Sequence, residues 1–208
     1  MSAGDVTTQR LDAFADAAFA FAVSLMVVGT GAPAVDAKML AASIAAIPSF
    51  GIGFAIIVMF WHTHARWRAL RGPGGMRATL LTLALIFVVL VYVTPLRAMA
   101  QSFAAFLGGR GGGFEGGLGR LFAIYGSGFV AMAALTALLF VDVAASADRV
   151  AAVRAQARGE AIIWGIAAVT GAISTLMSLQ RATEFHAPWV YASLPLTIGL
   201  FAWRYRWN

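Results

Sequence analysis

Cysteine is absent from this chain of 208 residues, and charged side chains make up only 12% of it. Without thiols there is no disulfide framework, no thiolate metal site and no thiol nucleophile. The scarcity of charge says more. With 61% of residues hydrophobic and a mean hydropathy of +0.81, the chain carries more apolar surface than a soluble domain of this length can hide. A lipid bilayer is the solvent that accepts such a surface, so the expected class is an all-α integral membrane protein.

Other lacks narrow the chemistry. His62 and His64 are two residues apart, so on a helix they point about 160° away from each other and cannot share a metal ion as an i, i+4 pair does. No metal site and no cofactor are expected. No Ser–His–acid constellation is recognisable, so covalent catalysis has no candidate and the reading is not an enzyme. The stretch Gly108 to Gly119 has no G-K-[ST] ending and follows no strand, which makes it a loop rather than a phosphate cradle. A net charge of +6 would suit nucleic acid only on a continuous face. Here the basic residues fall at helix ends, and no nucleic-acid partner is expected. Met1 to Arg10 contains Asp5 and lacks the basic start of a signal peptide, so the apolar segment that follows reads as a retained helix. No segment recurs at a fixed offset, and the inverted repeat of many secondary transporters is not visible.

Several stretches approach the roughly 20 apolar residues that one helical crossing needs. They run from about Ala13 to Val28, Met39 to Trp61, Thr79 to Ala100, Leu121 to Val141, Ala161 to Leu179 and Val190 to Trp203, which predicts six transmembrane helices in one domain over residues 1–208. Gly29, Gly31 and Pro33 close the first hairpin, Gly72-Pro73-Gly74-Gly75 the second, and the Gly108 to Gly119 loop the third. An even number of spans leaves both termini on one side. Placing that side in the cytoplasm puts ten of the fifteen Lys and Arg residues there, as the positive-inside rule favours. The cluster Arg66, Arg68, Arg71 and Arg77 reads as a topology determinant that can touch anionic lipid. Glu160 and Glu184 read as capping or solvated acids at helix mouths. Trp189, Trp203, Tyr205 and Trp207 sit where an interfacial aromatic belt belongs.

The first helix is unusual because Asp16 lies within its apolar run, where an uncompensated carboxylate costs several kcal/mol. The acid therefore needs a partner on neighbouring helices, or water. At about 100° per residue, Phe14, Phe21, Leu25 and Val28 fall within roughly 40° of a common line, with Ser24 about 60° to the side. Asp16 projects from nearly the opposite face. Taken alone, the stripe fits a helix-packing seam or a pore lining, and the acid fits a structural hydrogen-bond acceptor or a proton or cation relay.

The run Arg10-x-x-x-Phe14-Ala15-Asp16, followed by Ser24 and Leu25, resembles the R-x-x-x-F-S-D opening of the transmembrane protein 175 family, the potassium channels of endosomes and lysosomes and their prokaryotic relatives. Phe60-Trp61-x-x-His64 is similar to that family's tryptophan and histidine signature. The resemblance implies a passive cation channel of the prokaryotic inner membrane, a homotetramer in the lipid bilayer that passes monovalent cations, with potassium the expected ion. It also implies that the first helix of each subunit lines a central pore, with Phe21, Leu25 and Val28 as successive apolar constrictions. Ser24 stands where the family usually has a threonine, beside the pore and able to influence selectivity. Arg10, Phe14 and Asp16 belong by resemblance to a structural network with Trp61 and His64 as partners. Ala15 replaces the motif serine and removes a hydroxyl, and Phe21 replaces a smaller aliphatic residue at the first constriction. The alternatives are a secondary ion transporter that uses Asp16 and a non-conducting membrane scaffold that keeps the channel fold.

Overall fold

A computed structural model describes residues 3–28, 36–72, 75–107 and 117–205. The hairpin residues Gly29, Gly31 and Pro33, the turn residues Pro73 and Gly74, most of the Gly108 to Gly119 connection and Trp207 lie outside the described residues. All the regular structure described is helical. In chain order the helices are α1 (Ala3–Val28), α2 (Ala37–Ala45), α3 (Ile47–Arg71), α4 (Met76–Leu107), α5 (Leu118–Ala145), α6 (Ala151–Ser178), α7 (Ala187–Tyr191) and α8 (Leu194–Arg204). Among the described residues, α3, α4, α5 and α6 contain segments long and apolar enough to cross a membrane by length and composition. The chain is an all-helical, multi-pass membrane protein.

Two of the expected spans are drawn differently. The stretch from Met39 to Trp61 is broken at Ala46, after which α3 continues through Trp61 to Arg71. Pro48 stands in the first turn of α3, where its missing N–H costs nothing and its ring disfavours helix in the residue before it. Ser49 Oγ donates to the Ala46 carbonyl at 2.7 Å. The helix outlasts its apolar run because the polar residues after Trp61 find partners on other helices. The stretch from Val190 to Trp203 falls on α7 and α8, not on one helix, with Pro188 and Pro195 in their respective first turns. The 11 residues of α8 reach about 16 Å, less than the roughly 30 Å hydrocarbon core.

The most extensive helix pairing is between α5 and α6, with α4 against α5 and α1 seated on both α3 and α4. Aromatic side chains fill the centre. Phe60 on α3 meets Phe129 of α5 edge-on, with ring centroids 6.0 Å apart, and Trp164 of α6 at 5.0 Å. Trp67 is fully enclosed, and its indole Nε1 donates to the Leu139 carbonyl on α5 at 2.7 Å, so burial leaves no unpaired donor there. At its far end α3 stops at Gly72, whose φ of +62° suits a residue without Cβ and whose N–H donates to the Arg68 carbonyl. The Arg149 guanidinium lies 3.2 Å from where a Gly72 Cβ would stand, a tight approach by a flexible side chain, so it is the backbone conformation that favours glycine here.

Candidate functional site

Helix α1 has two unlike faces. Ala15, Ala18, Phe19, Ala22 and Met26 are buried, and the small residues among them let neighbouring backbones come close. Ala15 and Ala18 pack with Ile86 and Leu90 of α4, while Phe19, Ala22 and Met26 join the main core with Ile57 and Phe60 of α3. On the other side Phe14 and Phe21 are 54% and 56% exposed, and Ser24 is exposed beside them. The Ser24 hydroxyl donates to the Ala20 carbonyl one turn earlier at 3.0 Å. Leu25 is half-buried and packs against the main core. The side chain of Val28, the last residue of α1, lies outside the described residues.

Asp16 is exposed at the edge of α1 that faces α3, not enclosed among helices. It projects sideways because its neighbours Ala15, Ala18 and Phe19 occupy the inward direction. Trp61 Nε1 donates to Asp16 Oδ1 at 2.8 Å. The pair stands on a groove of about 330 Å³ walled also by Phe19, Ala20, Val23, Ile57 and Val58. An indole N–H is a donor only, so in this contact Asp16 is the acceptor.

His64 lies deeper, 3% exposed, with Nε2 3.4 Å from Thr82 Oγ1 on α4. Its ring sits between Phe19 of α1, centroids 6.2 Å apart, and Trp67, 5.2 Å apart. Phe19 therefore borders both the Asp16–Trp61 groove and the His64 ring. Arg10 is exposed, and helical spacing turns Arg10 and Phe14 about 120° and 160° away from Asp16. The structure thus joins Asp16 to Trp61 and sets His64 behind them, with Arg10 and Phe14 on another side of α1.

A set of ion pairs escaped the sequence reading. The arginines that close α3 each meet an acid on a different helix. Arg68 Nε lies 2.6 Å from Asp12 Oδ1 on α1, and Arg71 Nε lies 2.8 Å from Asp142 Oδ2 on α5. Arg66 Nη2 donates to Glu160 Oε1 on α6. Helical spacing explains why Arg66 and Arg68, two residues apart, turn to opposite sides of α3. Glu160 is 5% exposed inside α6, so it is a buried ion-pair acid and not a cap or a solvated group at a helix mouth. The available signal was the i, i+4 spacing of Asp12 and Asp16, which places two acids on one side of α1. Arg68 and Trp61 answer them from α3.

The model of the family described as endosomal/lysosomal potassium channel TMEM175 matches residues 10–95. That segment holds α1, the polar contacts of α1 to α3, and the His64–Thr82 approach to α4. Over this segment the chain is similar to the TMEM175 family. A protein named "Potassium channel" from Marivirga tractuosa is 34% identical over 111 residues, which are 53% of this chain and 44% of that relative. The match thus spans less than half of the relative's length. A crystal structure of the potassium channel MtTMEM175, a threonine-to-alanine variant in complex with a nanobody–MBP fusion protein, superposes with a TM-score of 0.82 at 23% identity. It covers 92% of this chain and 90% of that one, so the TMEM175 fold extends well beyond the segment matched in sequence.

Proposed function

We propose that this chain is the subunit of a passive cation channel of the TMEM175 family, with potassium the favoured ion and α1 lining the pore. The observation that carries this reading is the division of α1. Ala15, Phe19, Ala22 and Met26 fix it against α3 and α4, while Phe14, Phe21 and Ser24 are left uncovered on a single chain. A homotetramer about a central axis encloses that outward face, with Phe21, Leu25 and Val28 as apolar constrictions and Ser24 as the hydroxyl nearest the ion path. Each chain is one channel domain over residues 1–208 with six crossings and cytoplasmic termini, α7 and α8 together completing the last. Monovalent cations and the bilayer of the prokaryotic cell membrane are its partners, and the activity needs no cofactor or catalytic residue. An apolar ring gates by dewetting and ranks ions by the cost of squeezing their hydration shells.

The Asp16–Trp61 contact favours this reading over a transporter in which Asp16 exchanges protons or ions, because the carboxylate is already engaged by an indole N–H, a donor that can neither accept a proton nor pass one on. Ion flux into liposomes carrying the purified chain tests the proposal, comparing potassium with sodium gradients and wild type with Phe21→Ile. Potassium-favouring flux that rises in the variant is expected. Intact tetramers without flux in either protein overturn the channel reading in favour of a scaffold, and saturable flux coupled to protons and abolished by Asp16→Asn favours the transporter.

A further inference from the structure

At the end of the bundle away from the arginine pairs, a second cavity of about 420 Å³ opens between the last turns of α4, the first turns of α5 and the segment that runs from α6 into α7. Its walls are aromatic, with Phe103 and Phe106 from α4, Phe122 from α5, and Phe185 and Trp189 from the α6–α7 side. One carboxylate, Glu184, stands in this wall. We propose that the cavity is a binding site for the ammonium group of an amphiphile. The inference is independent of any pore.

Aromatic faces present negative charge and attract cations, quaternary ammonium groups above all. A carboxylate in a wall that is apolar apart from Ser102 adds a negative charge beside these rings. An anion meets both features unfavourably, and a neutral alkyl chain uses neither. The size falls in the range of ordinary ligand pockets. Phe106, Phe185 and Trp189 are 64%, 66% and 71% exposed, so the cavity opens outward from the bundle, and Trp189 is a residue type that settles at the membrane–water interface. An amphiphile arriving from the bilayer brings its headgroup to this level. The Glu184 side chain rests against the first turn of α5, with Oε2 2.6 Å from where a Gly119 Cβ would stand. The missing side chain at Gly119 is what leaves room for the acid.

The same ammonium chemistry comes from two sources, the choline headgroup of a phospholipid or a free alkylammonium. Titration calorimetry of the purified full chain with octyltrimethylammonium, against octanol as neutral control, tests the site. Saturable binding of the ammonium with no comparable binding of octanol is expected. Glu184→Gln weakens it about tenfold through the lost charge, and Phe106→Leu with Trp189→Leu weakens it by a similar factor through the lost rings. Retained affinity in both variants, equal binding of octanol, or no saturable binding overturns the proposal. The aromatic double variant decides the matter if Glu184→Gln does not fold. Repeating the titration in nanodiscs of phosphatidylcholine and of phosphatidylglycerol separates the sources. Competition confined to phosphatidylcholine assigns the site to the lipid headgroup, and equal affinity in both assigns it to a free amphiphile.

Discussion

Trp61 on α3 donates its indole hydrogen to Asp16 on α1 across 2.8 Å, and one turn earlier on α1 Asp12 meets Arg68. As α1 advances four residues, the partner on α3 steps back seven, so the helices run antiparallel with their register held at two points. Apolar packing alone leaves a helix free to slide or rotate by small amounts, because many arrangements bury similar area. Two directional contacts on one edge remove that freedom and fix which face α1 turns outward.

Replacing Trp61 by Phe keeps most of the ring and deletes the donor. Intramembrane hydrogen bonds are worth about 0.6 kcal/mol on average and up to about 1.7, and the ionised acceptor places this one toward the upper figure. We expect a loss of about 1 to 2 kcal/mol in reversible unfolding in detergent. In a double-mutant cycle with Asp16→Ala, which removes the acceptor, the second change adds less than it costs alone. Strict additivity shows that the contact carries no coupling energy.

The pair of Arg71 and Asp142 is more enclosed, with side chains 15% and 11% exposed. Removing one member of a buried pair leaves an uncompensated charge and costs about 3–5 kcal/mol, whereas replacing both with apolar residues of similar volume can be nearly neutral. Arg71→Met alone is therefore expected to lower the melting temperature strongly, and Arg71→Met with Asp142→Leu to recover most of the loss. A double variant as unstable as the single one shows that the charges themselves are required.

The all-helical class was legible because hydropathy reports which solvent a segment needs. Asp16 was legible as an acid in need of a donor, since an apolar run makes a carboxylate conspicuous. The ends of helices were not, for a physical reason. Hydropathy treats His62, His64, Arg66 and Arg68 as an exit from the membrane, but His64 is packed between Phe19 and Trp67, and the two arginines stay in α3 against Glu160 and Asp12. Long-range pairing decides that boundary, and no local window contains it. The break at α7 and α8 had a local signal in Pro188 and Pro195, outweighed by the apolar residues between and beyond them. The direction of Phe14 and Phe21 followed from helical period, which turns both away from the small buried residues of α1 and leaves them exposed on the single chain.

Gly128 on α5 lies under the ring of Tyr92 on α4, and an added Cβ would stand 2.3 Å from Tyr92 Cδ2. A buried aromatic ring, unlike the end of a methionine, cannot move aside without shifting its neighbours, and Tyr92 is 2% exposed with Tyr125 packed on it at 5.5 Å. Gly128→Ala is expected to destabilise the α4–α5 contact by about 1–3 kcal/mol, the usual cost of overpacking, even though alanine is the better helix former. Tyr92→Leu in the same chain should relieve part of it. A neutral or stabilising effect of Gly128→Ala in thermal unfolding shows that the Tyr92 ring or the α4–α5 spacing can shift at little cost.

Phe21 allows folding and permeation to be separated in one residue. It is 56% exposed on the single chain, so trimming it to isoleucine removes little packing within the subunit and should leave subunit melting within about 0.5 kcal/mol of wild type, as for surface substitutions away from special features. Leu25, half-buried against the core, makes the contrast, because Leu25→Asn places a polar amide where part of the side chain has no water and should destabilise the subunit by about 1–3 kcal/mol. If α1 lines a pore, Phe21→Ile alters potassium flux in liposomes at unchanged stability, a separation that a purely structural stripe does not produce. Flux and melting that change together in Phe21→Ile place that ring in a packing seam between subunits and remove it from the ion path.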